Sequence, residues 1–175
     1  MAKRSKEQVA KDELRTVMEL QSQARVGIDQ LAGKLGFSGP KLRRIIKNLE
    51  DDQTIWGYHA VTDYTSIGLE EYLILIRKTS ESLEQAMEKI VSREFEQRAS
   101  KMGVMIGSSY YLHGLYDWVI CFTAKDLKQA KRFEAELLKT YKGIIGETQL
   151  LEVLFPVKRS GIQNPSVEEL SLIHI

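Results

Sequence analysis

The sequence predicts an α+β protein in two parts, an N-terminal winged helix-turn-helix domain followed by a ferredoxin-like βαββαβ domain. Three observations lead there. Ile28 to Glu50 reads as two short helices joined by a tight turn. After Gly68 the hydrophobic pattern becomes strand, helix, strand, strand, helix, strand. The charge is also split: residues 1–50 hold 11 Lys/Arg against 6 Asp/Glu, and residues 51–175 hold 14 against 18, within a net charge of only +1. A basic front and an acidic rear suggest two domains with different partners.

The helix-turn-helix organises the front. Its first helix runs from Asp29 to Leu35, with Leu31, Ala32 and Leu35 on one face. Gly36 falls where that helix must stop, and glycine accepts a positive φ at little cost. Ser38 suits the N-cap of the second helix, and Pro40 suits its first turn, where a missing N–H is no loss. Leu42, Ile45, Ile46 and Leu49 recur at helical spacing, which sends Arg43, Arg44 and Lys47 to the opposite side, flanked by Lys41 and Asn48. Such a helix suits the major groove of double-stranded DNA. Arg and Lys neutralise phosphates or reach guanine edges, and Asn pairs with adenine. The face assigned to DNA is therefore Ser38, Lys41, Arg43, Arg44, Lys47 and Asn48. A solvated surface helix carries the same residue types, so on this helix alone the two readings are evenly matched.

A first helix over about Lys6 to Gln23 is expected to pack across this unit through Leu14, Val17 and Met18, with Val9, Ala10 and Leu20 near the seam. Lys3, Arg4 and Lys6 read as a frayed basic end. Ile55 to Val61 reads as a short extended strand, the place of a wing or linker. Trp56 and Tyr58 are better read as packing than as stacking platforms, and His59 is isolated from any other ligand type.

In the second half, strands are expected at Leu69–Arg77, Val104–Leu112, Trp118–Phe122 and Thr148–Phe155, with helices at Ser82 to about Ala99 and at Leu127–Tyr141. The boundaries that follow are 1–55 for the helix-turn-helix domain, 56–68 for a strand linker, 69–157 for the ferredoxin-like domain and 158–175 for a tail, loosely held or an arm. A sheet covered by helices on one face needs a partner on the other. Tyr72, Ile74, Tyr110 and Tyr111 are the candidates for a dimer surface.

Several classes are excluded or left without support. One cysteine, Cys121, permits neither an internal disulfide framework nor a cysteine metal site, and in its apolar run it reads as a buried thiol in a reducing compartment. No apolar run approaches the roughly 20 residues of a membrane helix. The charged N-terminus lacks the apolar core of a secretory signal. The expected location is the cytoplasm, with no membrane partner. No metal-ligand cluster, phosphate-cradling glycine loop or catalytic triad is brought together, so no cofactor, metal or catalytic residue is assigned and the chain is not expected to be an enzyme.

The order and spacing of these features resemble the Lrp/AsnC family of transcriptional regulators, over roughly Glu13 to Lys158. The matching residues are Arg25-Val26, Leu31-Ala32, Leu35-Gly36-Phe37-Ser38, Leu42 with the basic helix, Leu49-Glu50, Ile55, Gly57-Tyr58 and Ala60-Val61. The family's Gly-x-Tyr/Phe-Asp turn matches Gly114-Leu115-Tyr116-Asp117, and Gly143-Ile144 matches the step before the last strand. The resemblance implies a homodimer formed through the ferredoxin-like domains, assembling further into tetramers or octamers, with half-sites about one helical turn apart. It also implies an amino-acid or related small effector near Gly114, Leu115, Tyr116 and Asp117. There, backbone N–H groups would hold a carboxylate and Asp117 an ammonium; otherwise Gly114 shapes a tight hairpin and Asp117 stabilises it.

Two departures stand out. The family's Asp-x-x-Ile-Leu of the first helix is absent or out of phase, because Asp12 is followed by Arg15 and Thr16. Asp51 and Asp52 sit beside the DNA-facing helix and repel phosphate if they point towards it. They motivate one alternative, a ligand-sensing module that no longer binds DNA. The other is an enzyme resembling siroheme decarboxylases, which share both domains. Such an enzyme needs cations for several carboxylates, yet Val104 to Phe122 contains no Lys or Arg.

Overall fold

In the computed structural model the described residues are 5–23, 25–80 and 93–169. The chain divides into two compact units, cut at Val61/Thr62 and at Phe155/Pro156, so that residues 156–169 belong with the N-terminal unit.

The first unit holds α1 (Lys6–Ser22), α2 (Ile28–Leu35) and α3 (Gly39–Asp51). α1 starts where the Ser5 side chain accepts the Gln8 N–H. α2 stops at Gly36, which sits at φ 70, ψ 32 and turns its N–H back onto Ala32 and Gly33. Leu31, Ala32, Leu35 and Leu42 form the core, with Leu20, Val26, Ile28, Phe37 and Ile46 packed against it.

The expected apolar seam of α1 is corrected. Leu14 is 60% and Met18 61% exposed, whereas Asp12 and Thr16 are the buried side chains of that helix. Helical periodicity locates a stripe but does not say which stripe faces the neighbours, and here bonds from Asp12 to Lys41 and from Arg15 to the Leu35 carbonyl fix the other one. The Thr16 hydroxyl donates to the Asp12 carbonyl at 2.8 Å, and the Asp12 carboxylate accepts Gln8 Nε2 at 3.1 Å.

The strand expected after α3 is also corrected, since residues 52–69 contain none. The chain turns back instead. Gln53 takes φ 61, the Asp52 carboxylate accepts the Thr54 N–H, and the Ile55 N–H bonds to the Leu49 carbonyl. The hairpin of this unit comes from the far end of the chain. β5 (Lys158–Arg159) pairs with β6 (Ile162–Gln163) around Ser160 and Gly161, both at positive φ as such a two-residue turn requires. A short 3₁₀ helix follows at Val167–Glu169. The tail, expected to be either loosely held or an arm, thus carries a hairpin and a 3₁₀ helix through residue 169. Its hairpin lines a cleft with Val17, Leu20, Trp56 and Tyr58.

The second unit opens with a 3₁₀ turn at Thr65–Ile67 and holds β1 (Glu70–Lys78), α4 (Glu94–Lys101), β2 (Met105–Tyr111), β3 (Trp118–Ala124), α5 (Leu127–Thr140) and β4 (Ile145–Glu152). The helix expected over 82–99 is described only from Glu94; its residues 82–92 lie outside the described residues. The last strand begins three residues earlier than the sequence pattern places it. The sheet is antiparallel throughout, in the order β2-β3-β1-β4.

One sheet face is the core. Tyr72, Ile74 and Ile76 of β1 and Trp118, Ile120 and Phe122 of β3 pack against Phe95 and Ala99 of α4 and Ala130, Phe133 and Leu137 of α5. Phe122 and Phe133 ring centres are 4.4 Å apart. The other face carries two rows, Tyr110–Val119–Leu75–Gln149 and Ser108–Cys121–Leu73–Leu151, read across the four strands. Leu73, Leu75, Val119 and Cys121 are half-buried on it, and Tyr110 and Leu151 are exposed. Of the four residues expected on a dimer surface, Tyr110 lies on this face. Tyr72 and Ile74 are fully buried on the helix side, and Tyr111 stacks on Trp118 at 5.5 Å. Strand side chains alternate faces, so an error of one position moves a residue from one face to the other.

Candidate nucleic-acid interface

α3 builds the site from its own period. Leu42, Ile45 and Leu49 are buried and Ile46 is half-buried, which leaves Arg43, Arg44, Lys47 and Asn48 exposed on the outward side. Four of the six expected DNA-facing residues therefore share one solvent face of a helix fixed by its opposite seam.

Ser38 and Lys41 behave differently. Ser38 occupies the N-cap position in extended conformation, but its side chain makes no capping bond. The exposed hydroxyl is positioned beside the first N–H groups of α3, where the helix dipole favours an anion. Lys41 is withdrawn from the DNA-facing set. Its Nζ lies 2.6 Å from Asp12 Oδ2, with side chains 15% and 5% exposed, and sits 3.5 Å over the Phe37 ring. Arg15 approaches the same ring at 5.3 Å and donates from Nη2 to the Leu35 carbonyl at 2.9 Å. A cation at the first turn of α3 therefore neutralises a carboxylate of α1.

Sequence reasoning missed this cluster. Asp12, Arg15 and Thr16 looked like a broken apolar motif; Asp12 and Arg15 are a polar lock that holds α1 against the turn and the start of α3, and Thr16 is bonded to Asp12 within α1. The signal was a carboxylate and a threonine one turn apart on an otherwise amphipathic helix.

The acids near the site are accounted for. Asp51 pairs with Lys47 one turn earlier at 2.5 Å, and both are more than half exposed. Asp52 caps the Thr54 N–H at 3.1 Å. Asp29 lies 3.8 Å from Arg43. Glu50 accepts the Tyr58 hydroxyl at 2.9 Å. Burial and then the bond to Glu50 push the Tyr58 phenol up, so it stays a neutral donor. The exposed pairs are each worth no more than about 1 kcal/mol, so a phosphate exchanges for Asp51 or Asp29 at little cost.

The four residues of the expected effector turn are contiguous but differently engaged. The Gly114–Leu115 tip is exposed. The Tyr116 hydroxyl donates to Gln149 Oε1 at 2.6 Å. Asp117 Oδ2 accepts the Lys78 N–H at 2.9 Å, its own N–H bonds the Ile76 carbonyl and its carbonyl accepts the Leu112 N–H. The small cavity touching Asp117 measures about 10 Å³, too little for more than a water. Among the described residues no group of three or more His, Cys, Asp or Glu is placed to hold a metal ion.

No protein-family model matches the chain. A proline dehydrogenase transcriptional activator from Rhizobium radiobacter is 23% identical over 150 residues, covering 86% of this chain and 92% of its own. An AsnC family transcriptional regulator from Agrobacterium tumefaciens superposes with a TM-score of 0.65 at 19% identity, over 91% of this chain and 98% of that one. A Neisseria meningitidis transcriptional regulator, solved as its L-Met complex, gives 0.66 at 19% identity, over 91% and 98%. Escherichia coli AsnC gives 0.59 at 18% identity, over 85% and 95%. Through most of its length this chain has the fold of the AsnC family of transcriptional regulators.

Proposed function

We propose that the protein is a sequence-specific DNA-binding transcriptional regulator of the Lrp/AsnC type. In this reading the first unit is a helix-turn-helix domain whose recognition helix is α3, and the second is a ferredoxin-like domain used for assembly and ligand response. The observation that carries it is the outward face of α3: Arg43, Arg44, Lys47 and Asn48 together, exposed and backed by a buried seam. The sheet order β2-β3-β1-β4 supports the ferredoxin-like reading. The hairpin of the first unit, at Lys158–Gln163, is supplied by the end of the chain rather than by a strand after α3.

Self-association belongs to the same reading. The sheet face turned away from α4 and α5 offers Leu73, Leu75, Val119, Cys121 and Leu151 as one apolar surface, and a second copy of the chain covers it. The two-fold axis then presents two α3 helices to a palindromic site. An amino acid is the proposed effector, bound between copies at Gly114, Leu115, Tyr116 and Asp117, because the cavity that Asp117 lines in a single chain measures only about 10 Å³.

Salt-dependent binding to the protein's own upstream DNA tests this reading. Arg43→Ala or Lys47→Ala is expected to weaken binding and to lower the salt slope by about one phosphate contact. No shift of any duplex by the intact protein at low salt would overturn it.

A further inference from the structure

We infer that Arg44 and Asn48 are the base-reading pair of α3, whereas Arg43 and Lys47 are its phosphate contacts. The inference rests on the DNA-binding reading and divides its surface into two chemistries. Four exposed polar residues share the outward face, but their surroundings differ. Arg43 leans towards α2, where Asp29 lies 3.8 Å away. Lys47 is held by Asp51 one turn further on. Both cations are thus turned onto carboxylates, whose place a phosphate oxygen takes as a like-charged substitute. Among the described residues the side chains of Arg44 and Asn48 make no hydrogen bond or ion pair, and both are exposed.

Position and chemistry agree with this freedom. Arg44 and Lys47 flank the line opposite the Leu42–Ile45–Ile46–Leu49 seam, so Arg44 shares with Lys47 the ridge of the helix that reaches deepest into a groove, and of the two only Arg44 is free of a carboxylate. Asn48 is one turn further along on the adjoining strip. Guanidinium and carboxamide are the two groups that pair bidentately with base edges, Arg with guanine O6 and N7 and Asn with adenine N6 and N7. An ammonium such as Lys47 lacks that planar fork. Four residues of helix advance about 6 Å, which along a groove inclined to the duplex axis spans roughly one to two base-pair steps. The half-site is therefore expected to hold a guanine and an adenine about one or two base-pair steps apart.

Selection from a randomised duplex pool by the full chain tests this, with salt titrations on the best sequence. The wild type is expected to enrich such a half-site. Arg44→Ala is expected to lose preference at the guanine alone, and Asn48→Ala at the adenine alone, each weakening the best site about 5- to 150-fold with an unchanged salt slope. Arg43→Ala and Lys47→Ala are expected to keep the enriched sequence and flatten the salt slope. If the Arg44 and Asn48 variants enrich the wild-type sequence, or Arg44→Ala flattens the slope without touching any one position, the inference is overturned while DNA binding stands. If the wild type binds no duplex at low salt, both fall together.

Discussion

Lys41 Nζ lies 2.6 Å from Asp12 Oδ2, and the pair joins the first turn of α3 to the middle of α1. It is nearly closed from solvent, and Phe37 covers the ammonium from one side. Removing one partner leaves the other charge poorly solvated. Asp12→Ala is expected to destabilise the N-terminal unit by about 2–3 kcal/mol, near the lower end for a broken buried pair. The double variant Asp12→Leu with Lys41→Met should recover most of that loss. Urea unfolding of the three proteins decides it, and a cost below about 0.5 kcal/mol for the single variant would make the pair incidental.

The two rows of the sheet face turned away from α4 and α5 predict the assembly surface. Leu73→Asp or Leu75→Asp is expected to shift the protein to monomer in light scattering or sedimentation with its circular dichroism retained, because both side chains are only half-buried in the single chain. Ile74→Asp, one residue away on β1, is expected to unfold the unit, since Ile74 is fully buried among aromatic rings. Equal behaviour of positions 73 and 74 would contradict the assigned faces.

Asp117 straps the end of β1 to the start of β3 through the Lys78 N–H. Loss of this charge-assisted bond in Asp117→Ala is expected to cost about 1–2 kcal/mol. Asp117→Asn keeps an acceptor and should recover most of it. The proposed effector role gives a separate readout. Amino acids that raise the melting temperature of the wild type by mass action should do so far less in Asp117→Asn. An undiminished shift in that variant would leave the turn a purely structural strap.

Cys121 has its thiol pushed up by burial, and further by the Glu71 carboxylate. The thiolate is the reacting form, so a raised pKa means less of it at neutral pH. Alkylation by iodoacetamide, at dilutions where sedimentation shows a single copy and followed by mass spectrometry from pH 7 to roughly pH 10, should show a midpoint above the value of about 8.5 for a free thiol. Glu71→Gln should lower that midpoint. A midpoint at or below the free-thiol value would contradict the environment assigned to this face.

Much of α3 was legible because its signal is local. Leu42, Ile45 and Leu49 repeat at helical spacing, Gly36 marks the stop, and Arg43, Arg44 and Lys47 then have one side left to occupy. Lys41 was misplaced for the same reason: on an isolated helix it flanks the basic face, and only α1 brings Asp12 to it. The strand order after Gly68 followed from alternation and turns, yet the choice of face at Tyr72 and Ile74 did not. Every residue of Tyr72–Leu73–Ile74–Leu75–Ile76 is apolar, so alternation gave no parity.

The sequence by itself determined the three N-terminal helices, the strands β1 to β4, the α+β class, the two-part charge and the basic side of α3, because these depend on spacings within one turn of helix or one strand. Only the tertiary structure decided that α1 turns Asp12 and Thr16 inward and Leu14 and Met18 outward, and that the first unit takes its hairpin from residues 158–163. It alone decided that Leu73 and Leu75 face away from the helices. Those outcomes depend on contacts between segments far apart in the chain, where a buried ion pair or a packed aromatic ring outweighs the preference of any single stretch.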